Sequence, residues 1–371
     1  MSADREIALR APFPWFGGKS RAADLIWSRL GDVANYVEPF AGSLAVLLSR
    51  PTPPGTETVN DLDCYLANFW RALGADPDGV ARWATSPVNE ADLHARHRWL
   101  VGQADFRERM KSDPDYFDVK IAGWWVWGQC CWIGTGWCLA ARYAAPPQRG
   151  HGSASDPPSA TGGDEGPRIP IQIPHLGAGR GLHRKIPHLG TAGMGLHRKI
   201  PHPGNAGRGP HRKIPHLGDA GRGEAVLSYM RDLSARLHNV RVACGEWDRV
   251  LGPSVTFRHG LTGVVLDPPY AEGEMEYSAG GASTLSAAVR AWAIENGGNP
   301  LLRIALCGLD GEHEMPADWE CVPWKARGGY GNARRDGSEN INRKRERVWF
   351  SPHCLREEKG QRTLFGQELS L

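Results

Sequence analysis

The run Val264-Val265-Leu266-Asp267-Pro268-Pro269-Tyr270 constrains this chain more than any other stretch. Three apolar, mostly β-branched residues read as a short buried strand. The strand must stop abruptly, because neither Pro268 nor Pro269 can donate to a sheet ladder. The stop leaves a carboxylate, a rigid stretch of carbonyls and a flat ring facing one spot. Such a set suits a planar ring with an amino group, since it can hold the ring and polarise the amine.

The surroundings say what kind of sheet this strand sits in. Asn35-Tyr36-Val37-Glu38, Thr56 to Asn60, Val240 to Ala243, Gly263 to Leu266, Leu301 to Leu306 and Arg347 to Ser351 read as strands. Between them, Ser20 to Leu30, Ser43 to Ser49, Asp61 to Leu73, Ala225 to His238 and Ser283 to Asn296 read as helices, with Asp61 as the expected N-cap of the third. Strands alternating with helices predict an α/β fold: an open, mostly parallel sheet with helices on both faces.

Composition divides the chain into regions. Residues 12–140 and 223–352 have globular patterning, and residues 145–222 are dominated by Gly, Pro, His and Arg. Within the latter, Ile173-Pro174-His175-Leu176-Gly177 opens a unit that restarts at Ile186, Ile200 and Ile214. The unit is too short and too rich in Gly and Pro to bury a face of its own. The net charge of the chain is only +3, yet the segment from Ile173 to Arg222 carries nine Lys or Arg against one acid, Asp219. The near-neutral total therefore hides a basic segment suited to a phosphate backbone, and equally consistent, for the extra copies, with a tandemly duplicated insertion of little role. Its seven His lack the close pairing of structural zinc sites, and no CxxC accompanies them, so no metal site is expected.

Other classes are disfavoured. The N-terminal residues lack the apolar stretch of a secretory signal, and no run reaches the length of a membrane span. The eight Cys form no regular framework and fit reduced thiols in a cytoplasmic protein. Cys130, Cys131 and Cys138 fall in an aromatic stretch and read as small buried thiols. Most of the 15 Trp are expected in the core.

A second strand-to-loop junction complements the first. In Glu38-Pro39-Phe40-Ala41-Gly42-Ser43 a strand turns at small residues and opens toward a helix, the arrangement a close-approaching ligand needs. The next strand ends at Asn60-Asp61, an offset at which an acid usually meets ribose hydroxyls. Together these features point to an adenosine-containing cofactor. The carboxyl ends of parallel strands share one edge, so both junctions are expected to open into one crevice.

These motifs, in this order, resemble the Dam-like DNA adenine-N6 methyltransferases that use S-adenosylmethionine. Phe13-Pro14-Trp15-Phe16-Gly17-Gly18-Lys19 is similar to the family's Gly-Gly-Lys cofactor motif. Glu38, Pro39, Phe40, Ala41, Gly42 and Ser43 resemble its glycine motif, and Asp61 its ribose-binding acid. Asp267-Pro268-Pro269-Tyr270 is identical to its catalytic motif. A departure lies at Leu44, where the family often has a second glycine.

The resemblance implies a Rossmann-like methyltransferase fold with an inserted target-recognition region. It assigns residues 12–120 and 223–352 to a discontinuous catalytic domain, 121–222 to recognition and insertion, and 353–371 to a polar tail. It implies methyl transfer from S-adenosylmethionine to adenine N6 of a base flipped out of double-stranded DNA. Asp267, Pro268, Pro269 and Tyr270 are then the catalytic residues. Trp15, Gly17, Gly18, Lys19, the Glu38–Ser43 loop and Asp61 line the cofactor, with Lys19 toward its carboxylate side. Phosphate contacts are expected from Arg180, Arg184, Lys185, Arg198, Lys199, Arg208, Arg212 and Lys213, and further groove contacts from between Trp124 and Arg142. The alternatives are methylation of cytosine N4 or an RNA base, and an inactive DNA-binding protein on the same fold. The oligomeric state is open, with a monomer slightly favoured.

Overall fold

The computed structural model describes residues 9–15, 17–132, 137–138, 223–270, 282–324 and 345–356. Strands β1 (Asn35–Glu38), β2 (Thr56–Asp61), β3 (Val240–Cys244), β4 (Thr262–Leu266), β5 (Leu302–Leu309), β6 (Glu320–Pro323) and β7 (Glu346–Phe350) form one sheet. Their order is β3-β2-β1-β4-β5-β7-β6. The first five run parallel, while β7 is antiparallel to both β5 and β6. The chain winds outward from β1 through β2 and β3, then restarts at β4 on the other side of β1. The switch point therefore lies between β1 and β4, where open α/β sheets bind ligands.

Side-chain alternation shows that both faces are covered. Tyr36, Val59, Val265, Ala305, Cys307, Val348 and Phe350 pack into one apolar cluster. Val37, Val264, Leu266, Ile304, Leu306 and Trp349 pack into a second. In β4, β5 and β7 neighbouring residues thus face opposite clusters, as the period of two demands. This sheet, doubly covered and mostly parallel, is the α/β, Rossmann-like methyltransferase architecture that the sequence leads one to expect.

On the face of the first cluster lie α1 (Ala23–Leu30), α2 (Cys64–Ala75) and α7 (Gly223–Leu237). Outside α2, helices α3 (Pro77–Ala84), α4 (Glu90–Val101), α5 (Phe106–Ser112) and α6 (Val119–Cys131) extend the layer. Helix α6 is buried on most sides, with Ile121, Ala122, Trp125, Val126 and Trp127 all almost fully enclosed. Its Asp118 cap accepts from the Ile121 amide, and Asn68 of α2 trades two hydrogen bonds with the Asp118 backbone, at 2.7 and 2.9 Å. Trp125 and Trp127 are therefore core residues, unavailable to a groove. Cys130, Cys131 and Cys138 are buried free thiols, as their aromatic context suggests. On the opposite face α8 (Ala282–Asn296) supplies Val289 and Ala293 to the second cluster. No helix of the described residues is long and apolar enough to cross a membrane.

Two expected local features are corrected. The helix expected over Ser43 to Ser49 is reduced to a single 3-10 turn, Leu47–Ser49. Gly42 (φ 48°) and Leu44 (φ 53°) both occupy the left-handed region, which breaks a right-handed helical start. The N-cap of α2 is Asp63 rather than Asp61: the Asp63 carboxylate accepts from the amides of Tyr65 and Leu66, at 2.9 and 3.4 Å. Asp61 stays in β2.

Candidate active site

Glu38, Asp61 and Asp267 come to one place for a simple reason. Strands β2, β1 and β4 are adjacent and parallel, so their carboxyl ends share one edge. Each acid also lies two residues beyond a member of the first apolar cluster: Tyr36, Val59 and Val265 respectively. Strand alternation therefore aims all three toward the same face. Their charges interact, since both Asp267 and Asp61 add to the cost of ionising Glu38.

The glycine loop is braced rather than loose. The Gly42 amide donates to Asp61 Oδ2 at 3.0 Å, and the Asp63 amide to Asp61 Oδ1 at 2.9 Å. The Ala41 amide donates to the Asn60 carbonyl at 2.9 Å, and Asn60 Nδ2 donates to the Pro39 carbonyl at 3.1 Å. Trp70 Nε1 donates to the Gly42 carbonyl at 3.1 Å, while the Trp15 indole lies so close that a Cβ on Gly42 would sit 2.7 Å from its Nε1. Only glycine tolerates both that contact and the positive φ. Phe40 stacks on Trp247 with ring centroids 6.2 Å apart. Gly18 lies opposite Ser43, where an added Cβ would be 3.5 Å from the hydroxyl oxygen, and Gly17 is exposed. Leu44 is fully buried, so its left-handed backbone is held by the packing of its side chain.

The catalytic-motif end is tied to the N-terminal turn. Lys19 Nζ lies 2.8 Å from Asp267 Oδ1, with the two side chains 5% and 20% exposed, and donates to the Gly17 carbonyl at 3.0 Å. The same ammonium sits over the Tyr270 ring, 5.1 Å from its centroid. Tyr270 donates its hydroxyl to Glu346 Oε2 at 2.7 Å. Sequence reasoning missed Glu346, because an acid opening a late strand has no motif around it.

Burial dominates the electrostatics. It raises the Glu38 carboxyl to about 8, despite a 3.0 Å hydrogen bond from the Tyr36 hydroxyl. It raises Asp61 to about 6 against the opposing amide bonds. Burial also raises Asp267, with Lys19 pulling the other way. At Lys19 burial works against the charge, but Asp267 and its neighbours prevail and hold the ammonium well above its ordinary range. An ammonium so placed offsets part of what burial costs the Asp267 carboxylate.

The basic residues Arg180, Arg184, Lys185, Arg198, Lys199, Arg208, Arg212 and Lys213, and the His of the repeats, lie outside the described residues. Among the described residues no cluster of His, Cys, Asp and Glu has the arrangement to hold a metal ion.

A braced glycine loop and a strand-ending acid lie with an Asp-Pro-Pro-Tyr turn at the switch point of a doubly covered sheet, an arrangement compatible with a Rossmann-like methyltransferase fold. The next step comes from comparison with known families. Residues 15–112 match the family model described as D12 class N6 adenine-specific DNA methyltransferase, which indicates an adenine-specific DNA methyltransferase enzyme. The matched span holds the Gly-Gly-Lys turn, the glycine loop and Asp61, so the Dam-like resemblance is borne out there. Such a family implies DNA as the substrate and S-adenosylmethionine as the methyl donor. No curated protein matches the chain.

The residues present fit that donor. Asp61 carries free lone pairs beside the loop, the exposed Gly17 turn lets a ligand approach the backbone, and the Gly42 cradle admits no side chain.

Proposed function

We propose that this protein transfers a methyl group from S-adenosylmethionine to N6 of an adenine extruded from double-stranded DNA. The observation that carries the reading is the Lys19–Asp267 contact, which ties the Gly-Gly-Lys turn to the Asp-Pro-Pro-Tyr turn across one crevice. When bound, the donor supplies an electrophilic methyl group on a sulfonium.

The rest falls to this chain's own residues. Adenine N6 is a poor nucleophile, because its lone pair is delocalised into the ring. Asp267 Oδ2 accepts one amino N–H and the Pro268 carbonyl accepts the other. Those two bonds favour a more tetrahedral nitrogen, whose lone pair then points at the methyl group. Lys19 holds Asp267 ionised and in place; the cofactor-carboxylate role implied by resemblance is secondary to this one. No strong base is required, so catalysis rests on positioning and fixed dipoles. Tyr270 stacks on the extruded base through the ring face turned away from Lys19. Asp61 receives the ribose hydroxyls, and Trp15, Gly17, Gly18 and the Glu38–Ser43 loop line the rest of the cofactor cleft.

Residues 12–120 and 223–352 make up the catalytic domain in this reading. Target recognition falls to the 121–222 region beyond the part that α6 packs against α2 and α3. Its basic repeats contact phosphates, which position the enzyme without reading sequence. A DNA substrate and eight Cys without a disulfide framework support a cytoplasmic protein. The test is methyl transfer from labelled donor to duplex DNA, followed by nucleoside analysis. Label in N6-methyladenine supports the reading. Label in cytosine, or donor never consumed with any DNA supplied, removes it.

A further inference from the structure

The antiparallel strand β7 brings an unexpected residue to the active edge. Parallel strands deliver their carboxyl ends there, whereas an antiparallel strand delivers its amino end. The first residue of β7 is Glu346, which pairs with Leu309 at the end of β5. Its backbone is pinned from the other side too, because the Trp324 amide donates to its carbonyl at 3.2 Å. Glu346 lies two residues before Val348 and shares its face, the face that carries Asp267. Its carboxylate is thus fixed by the sheet and aimed at the Asp-Pro-Pro-Tyr turn.

We propose that Glu346 is a positioning residue for methyl transfer: it holds the Tyr270 ring in the plane that stacks on the extruded base, through the 2.7 Å hydrogen bond to the phenol. This inference rests on the function proposed above. The geometry explains why such a tether is needed. Pro268 and Pro269 fix the backbone before Tyr270, but they do not fix its χ angles. The ring is half-buried. Lys19 constrains one ring face at 5.1 Å, and Glu346 constrains the hydroxyl end. With both in place the ring has one accessible orientation, so stacking requires no further ordering of the side chain. Glu346 touches neither base nor donor in this scheme; its hydrogen bond acts through Tyr270, and its charge adds a smaller support to the Lys19 ammonium.

The test is a double-mutant cycle in the full chain, read as kcat and donor KM with duplex DNA. Glu346→Ala lowers kcat about tenfold, the scale of one hydrogen bond to a charged group, with donor KM within about twofold of the parent. Glu346→Gln keeps an oxygen acceptor and the volume, and recovers most of the rate. Tyr270→Phe lowers kcat, and adding Glu346→Ala to it lowers kcat by no more than about twofold further, because the hydroxyl that Glu346 holds is already gone. Full multiplicative loss in the double variant overturns the proposal, as does a Glu346→Ala enzyme at parental rate. A second measurement does not depend on turnover. In protein labelled with 3-fluorotyrosine, the Tyr270 resonance is the one that disappears in Tyr270→Phe. Glu346→Ala shifts that resonance and Glu346→Gln shifts it less. An unmoved resonance denies the contact itself, whereas a parent enzyme that never consumes donor fails the proposed function and leaves this spectral result to stand or fall alone.

Discussion

The Lys19 ammonium lies 2.8 Å from Oδ1 of Asp267, joining the first glycine turn of the chain to the end of β4. Both groups are largely out of water, so neither is stable alone. Removing one leaves the other as an uncompensated charge. The pair thus couples the geometry of the cofactor side to that of the base side, and variants at either end separate stability from chemistry.

Lys19→Met is expected to lower stability by about 3 kcal/mol, because Asp267 then loses the partner that offsets its burial. Asp267→Asn is expected to cost less stability while lowering methyl transfer at least about a hundredfold, since the amide's NH2 repels an amino donor at that position. Urea unfolding and labelled-donor turnover on the two variants test this. Turnover near the parental rate in Asp267→Asn would remove Asp267 from its assigned role.

Stability should fall as pH rises from about 5 to 8. The Glu38 carboxyl, 4% exposed, is raised from 4.5 to about 8 in the fold, and Asp61 from 3.8 to about 6. Between the unfolded and folded values the native state binds the extra proton, so stability declines with pH and flattens above the folded value. For Glu38 this amounts to on the order of 4 kcal/mol. Melting temperature against pH should show that slope, and Glu38→Gln should remove most of it. An unchanged slope in the variant places the titration elsewhere.

Gly42→Ala is expected to weaken donor binding at least about tenfold. The new methyl would sit 2.7 Å from Trp15 Nε1 at a φ of 48°, so the loop must move away from the bond its amide makes with Asp61. Calorimetric titration with S-adenosylmethionine measures it, and parental affinity would show that the loop does not shape the cleft.

Leu44→Gly looks like a repair, since the left-handed backbone at φ 53° favours glycine. Relief of that strain is worth about 1–2 kcal/mol. Emptying a fully buried leucine site costs about 3 kcal/mol. The cavity wins, and a net loss of about 1–2 kcal/mol should appear in urea unfolding. A stabilised variant would mean that the loop collapses to fill the space.

If at least six of the eight basic side chains from Arg180 to Lys213 meet phosphates, DNA affinity should fall about a thousandfold between roughly 50 and 200 mM salt. Deleting residues 186–213 should leave methyl transfer intact with a shallower salt slope. Affinity insensitive to salt argues against these contacts.

Much of the frame was legible without coordinates. Strands rich in β-branched residues, helices between them and the Pro268-Pro269 stop dictate a parallel sheet whose acids end on one edge, because those signals act over a few neighbouring residues. The helix expected at Ser43 failed because left-handed Gly42 and Leu44 are imposed by contacts with Trp15 and the core, which no local pattern encodes. Helix α6 was unread for a related reason: it is apolar on nearly every side, so it has no amphipathic period to detect.

What the tertiary structure alone decided is which distant side chains meet. Nothing near Lys19 in sequence announces Asp267, and nothing near Glu346 announces Tyr270. Those partnerships follow from the strand order at the switch point and from one strand running backwards. The chain's local chemistry determined that an acid, two prolines and a ring would stand at a strand's end; long-range packing determined what holds them there.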